Sequence, residues 1–130
     1  MEIIQTATIS FAGTVTAGTG LTLVSPRIAS PFRVEKVLAS FALNTNRTVQ
    51  IKPFVAIDDA APTTTEPSGI NILEEFGQVN YVVGDDEQKE ILQQFTNVTG
   101  GGYVKIYANN TDTFDHTVDV VVTISLLVRE

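Results

Sequence analysis

Residues 109–116, Asn-Asn-Thr-Asp-Thr-Phe-Asp-His, gather more potential ligands and proton carriers than any other stretch of this 130-residue chain. Three chemistries use such residue types. A calcium loop of the EF-hand kind needs oxygen ligands at alternate positions, a glycine at its sharp turn and a terminal glutamate. Here Asp112 and Asp115 supply the acids and the rest of that frame is missing. A glycan acceptor needs Asn-X-Ser/Thr, which Asn109-Asn110-Thr111, Asn46-Arg47-Thr48 and Asn97-Val98-Thr99 all satisfy. Acceptance also requires a secretory route, and the opening residues MEIIQTATIS carry Glu2 where a signal peptide has basic residues and lack its apolar core. Acid–base catalysis would rest on His116 beside Asp115, but a lone histidine at the start of a strand more often packs than reacts. Asn and Asp also hydrogen-bond their own backbone and tolerate left-handed dihedrals, so the stretch is expected to be a turn.

The other carboxylate pairs, Asp58-Asp59 and Asp85-Asp86 with Glu87, are of the type that glycosidases use, yet both fall in turn-like sequence where solvated Asp is ordinary. The chain has no Cys, no G-x-S-x-G elbow, no phosphate-binding glycine loop ahead of a helix and no histidine pair for zinc. No catalytic residue, cofactor site or metal site is therefore assigned, and the expectation is a protein that is not an enzyme. The formal charge of -7 and the scatter of the eight basic residues, with Arg33 and Lys36 the nearest thing to a cluster, disfavour nucleic acid. The longest apolar run, VVVTISLLV at residues 120–128, is about half of what a bilayer-spanning helix needs, so no membrane partner is expected.

The elements that must carry these residues follow from a hydrophobic period that is two far more often than 3.6, with many β-branched residues. Strands are expected over residues 2–11, 21–25 and 32–43, with the glycine-rich stretch 13–20 as a turn or edge. Another strand is expected over residues 48–57. There Pro53 lacks a donor, which argues for an edge or a bulge. Residues 58–69, DDAAPTTTEPSG, have two prolines and no periodicity and read as a long surface loop. Two short apolar segments flank Gly77, at 70–76 and 78–83. Residues 87–98 fit either a strand or a helix, with the strand favoured by its surroundings. Finally, 103–108 and 117–128 alternate cleanly and read as a hairpin, with Val104, Ile106 and Ala108 facing one way and Tyr103, Lys105 and Tyr107 the other.

About eight antiparallel strands in a chain of one-domain length predict an all-β, two-sheet sandwich over residues 1–130. A jelly roll is preferred over an immunoglobulin-like arrangement, because both chain ends read as long apolar strands and the Cys and Trp signature of antibody domains is absent. The last strand also places Val121 and Leu127 on its outward face. A strand apolar on both faces is usually covered, either by a second subunit or by the N-terminal segment of its own chain.

The phrases SPFRVEKVLASFAL, IKPFVAIDDAAPTTTEPSG, QVNYVVGDD and YVKIYANNTDTFDHTVDVVVTISL, within residues 26–126, resemble small β-sandwich structural proteins of tailed-bacteriophage virions, especially the auxiliary or decoration proteins of capsids. The resemblance implies a non-enzymatic protein of the virion surface, made in the host cytoplasm. It would be a homo-oligomer, with a trimer preferred, and its partner would be the major capsid protein. The long loop, with Asp58, Asp59, Pro62, Glu66 and Pro67, and the N-terminal segment are the expected capsid-facing elements, because loops and termini carry recognition. The competing reading is a carbohydrate-binding module. Such modules stack sugars on exposed aromatics, for which Tyr81, Tyr103 and Tyr107 are the available tyrosines.

Overall fold

In a computed structural model, residues 2–128 are described, with side chains over residues 5–127. Nine strands and one helical turn follow in order. They are β1 (Glu2–Val15), β2 (Gly20–Val24), β3 (Phe32–Phe41), β4 (Val49–Ala56), β5 (Ile70–Asn71), α1 (Ile72–Glu75), β6 (Glu87–Ile91), β7 (Phe95–Asn97), β8 (Tyr103–Asn110) and β9 (His116–Val128). One sheet has the order β1-β9-β3-β6, with β7 pairing the other end of β3, and the second has the order β2-β8-β4-β5. All pairings are antiparallel. Taking β6 and β7 as one strand interrupted at residues 92–94, eight strands fill two four-position sheets, and the chain crosses between the sheets at every step but β4 to β5, which is a jelly roll. The expected fold class and the favoured strand reading of residues 87–98 both hold.

The period of two explains the core. Val118, Val120, Val122 and Ile124 of β9 face Val104, Ile106 and Ala108 of β8 across the sandwich, all at most 3% exposed. Strand β3 does not keep a single parity: Phe32 and Val34 are buried, and then Val37, Ala39 and Phe41. The ladder to β9 slips between Val34 and Lys36, so a bulge at Glu35 returns the apolar set to the core side. Glu35 then turns outward, takes a bidentate contact from Arg33, and accepts from Ser125 and Gln94. The Arg33 guanidinium holds its carboxyl below the usual carboxylate range.

Several boundaries differ from the sequence reading. Residues 13–15 continue β1, and the turn is confined to 16–19. Residues 103–108 and 117–128 are not a hairpin: β8 pairs with β2 and β4, while β9 pairs with β1 and β3. Alternation fixes which side chains face the core, but it does not say which sheet a strand joins. The segment 70–76 is mostly helical turn rather than strand. Asn71 accepts from the Leu73 and Glu74 amides as an N-cap, and Gly77, at φ 73°, ends the turn by donating to Glu74. Residues 78–83 join the sheet through one bridge, Ile51 to Val82. The edge or bulge expected from Pro53 is absent: β4 lies between β8 and β5 with an unbroken register to β8, and the proline fits because its missing donor, two residues beyond Ile51, faces the sparsely paired flank away from β8.

Candidate functional site

The outward face of the β2-β8-β4-β5 sheet carries Lys52, Phe54, Lys105 and Tyr107, and these are 9%, 3%, 0% and 5% exposed. The long loop accounts for this, because it lies down on the sheet. Lys105 Nζ meets Asp58 Oδ1 at 2.8 Å and donates to Ser68 Oγ at 3.2 Å, while Ser68 Oγ donates to Asp58 Oδ2 at 2.6 Å. The Ala60 amide donates to Asp58 Oδ1 at 3.0 Å. With Lys105 as the largest cause, then Ser68 and the Ala60 amide, the Asp58 carboxyl is pushed down to about 2. Lys52 pairs with Glu66 and lies 6.0 Å from the centroid of the Tyr107 ring.

The loop's crest is fixed by backbone contacts. Thr22 Oγ1 donates to the Pro62 carbonyl at 2.6 Å, and the Gly20 amide donates to the Thr63 carbonyl at 2.9 Å. Gly20 is required there: a Cβ would stand 2.4 Å from Tyr107 Oη and 2.8 Å from the Thr63 carbonyl oxygen. Of the five loop residues singled out by sequence, Asp58 and Glu66 are thus tied to lysines, Pro67 is buried, Pro62 is half-buried and Asp59 is exposed. Residues 63–65 are exposed beside it. Lysines 52 and 105 were missed in the sequence because alternation alone reads them as solvent-facing.

A serine within reach of a buried lysine has the composition of a nucleophile and its base, but such a base must be uncharged to accept a proton. Here the amine is held in an ion pair with an ionised carboxylate, so the cluster fastens the loop. Stacking of sugars fares poorly in the same place: Tyr107 lies under the loop, which breaks up the aromatic face that Tyr103 and Tyr107 would have shared.

The ligand-rich stretch at 109–116 is a turn between the two sheets. Asn110, 1% exposed, donates to the Val15 and Phe114 carbonyls at 3.2 and 2.8 Å and accepts from the Asp112 amide at 3.0 Å. Asp115 accepts from the Ala17 amide. His116 pairs with Asp112 at 2.8 Å rather than with Asp115, and this contact is the first cause holding the Asp112 carboxyl below its ordinary value. Among the described residues, no three His, Asp or Glu side chains converge as metal ligands. Around Asp85 a shallow polar hollow is lined by Asn46, Arg47 and Glu87, with Asp85 Oδ1 buried and unbonded.

Leu127 is 4% exposed within the single chain and therefore offers no area to a second subunit, while Val121 is half-buried. The N-terminal segment does not lie across β9 as a cover. From Glu2 onward it is β1, hydrogen-bonded beside β9 in the same sheet, whereas Met1 lies outside the described residues.

No protein-family profile and no curated protein sequence matches this chain. Solved structures do. A chain in the atomic structure of Sulfolobus Turreted Icosahedral Virus superposes with a TM-score of 0.55 at 9% identity, over 95% of this chain and 30% of that one. The Yersinia pseudotuberculosis-derived mitogen gives 0.37 at 11% identity over 95% and 89%, and infectious bursal disease virus, Gx strain, gives 0.42 at 7% over 94% and 32%. The first of these shows a shared fold: the chain is a jelly roll of the kind present in that virus, and it spans 30% of that chain's length.

Proposed function

We propose that the chain is a non-enzymatic virion structural protein that binds and stabilises the outer surface of a phage capsid, as decoration or cement proteins do. The observation that carries this reading is the jelly-roll strand order joined to a long loop pinned flat by two lysine–carboxylate pairs. A surface that engages a repeating lattice gains from rigidity, since an ordered loop loses little entropy on docking and repeated weak contacts multiply. The superposition on a chain of an icosahedral virus and the resemblance to tailed-phage auxiliary proteins point the same way. The partner is the major capsid protein, the location is the capsid surface, and neither nucleic acid nor membrane takes part.

The contacting residues are taken to be the exposed crest, Asp59 through Thr65, rather than the tied ends of the loop. Cosedimentation with emptied, expanded capsids tests this. Wild-type protein should pellet with capsids and a chain whose residues 59–65 are replaced by a Gly-Ser linker should remain in the supernatant. Wild-type protein that never pellets rules out the decoration reading, and a pelleting linker variant rules out the crest.

A further inference from the structure

Strand β1 ends its sheet. Strand β9 flanks one side, and among the described residues nothing hydrogen-bonds the other side between Gln5 and Thr14. Alternate residues of an antiparallel strand send their N–H and C=O to the same side, so about half the backbone groups of this 14-residue strand face an empty flank. Edges of this length are ordinarily guarded by lysine, proline, a bulge or a charge pointing inward. From Gln5 to Val15 there is no charged residue and no proline, and the one register slip falls earlier, between Ile3 and Gln5. The exposed face presents small neutral side chains, Thr6, Thr8, Ser10, Ala12 and Thr14.

A second observation lies under the same edge. An apolar groove of about 420 Å³ opens between Ala7 and Ile9 of β1, Ile124 and Leu126 of β9, and the connector around Ile28. Strand β2 meets β1 at Gly13, where a Cβ would lie 3.0 Å from Leu21 Cδ2, and leaves Ala7 and Ile9 only partly buried. A strand added beside β1 would set every second side chain over this groove.

We propose that the added strand is β1 of a second copy, paired antiparallel about a twofold axis so that the two larger sheets become one. Charge selects this occupant. At a formal charge of -7, copies of the chain repel one another over most approaches, whereas an uncharged strand places no like charges opposite each other when it pairs with itself. The inward pair it donates, Ala7 and Ile9, is apolar and only partly buried, as the groove requires. This arrangement gives a dimer instead of the trimer that the phage resemblance implies, and it is independent of capsid binding.

Light scattering should give twice the 14.0 kDa chain mass for the wild type. Thr8→Lys with Ser10→Lys sets like charges across the twofold and should halve that mass while the far-UV circular dichroism stays that of the folded chain. Mixing this variant with Thr8→Glu/Ser10→Glu should restore the dimer. A monomeric wild type, or an oligomer whose mass ignores the lysine pair, overturns the proposal. If the lysine variant fails to fold, hydrogen exchange on the wild type decides. Protection of β1 amides that rises with concentration supports the twofold, and protection that stays constant overturns it.

Discussion

Lys105 shows how far a single residue can depart from what its neighbours in sequence imply. Its place in YVKIYA sets it opposite Val104 and Ile106, which alternation reads as solvent, yet it has no exposed surface because Asp58 and Ser68 close over it. A buried ammonium is tolerated when it is paired and its donors are used, so the loop and the lysine require one another. This pairing has a pH signature. The Asp58 carboxyl sits at about 2 in the folded chain against an ordinary 3.8, so between those values the unfolded chain binds more protons than the folded one. Its contribution to stability is complete above about pH 4 and is lost as pH falls towards 2. Urea melts at a series of acidic pH values should therefore show a steeper loss for the wild type than for Asp58→Asn. The lowered carboxyls of Glu35 and Asp112 should leave a residual slope in both. Equal slopes for the two proteins would show that the pair contributes nothing in solution.

Strands were the legible elements, and the departures have local causes. The alternating rows of β4, β8 and β9 could be read directly, because a half-buried strand must repeat every two residues. The bulge at Glu35 was hidden, since one inserted residue changes parity without leaving a mark in composition. The turn α1 was hidden too, because Asn71 serves equally well at a strand end and at an N-cap. In the turn at 109–116 the sequence drew attention to His116, whereas the structure places the greater weight on Asn110, whose amide bridges β1, β8 and the turn. Asn110→Ala should destabilise the chain by about 2 kcal/mol, since it strips partners from buried backbone groups. His116→Ala should move the melting temperature only slightly. Thermal melts that reverse this ranking would return the histidine to the centre of the region.

For the molecule as a whole, strand count and the long terminal strands led to a jelly roll, and the pairing order bears that out. The assignment of β8 and β9 to different sheets was not legible, because sequence neighbours with clean alternation fit a hairpin and a sheet crossing equally well. Nor was it legible that the loop after β4 covers a sheet face, as nothing in twelve aperiodic residues specifies where a loop rests. The interface expected at Val121 and Leu127 loses Leu127, which is already covered within its own chain. What remains is an acidic jelly roll with a fastened loop on one sheet and an open edge on the other. The most direct measurement is an electron cryomicroscopy reconstruction of expanded capsids with and without added protein. A decoration role requires difference density of jelly-roll size at symmetry-related positions on the outer surface, with the 59–65 crest turned toward the shell. Identical reconstructions, or density confined to the capsid interior, would contradict it.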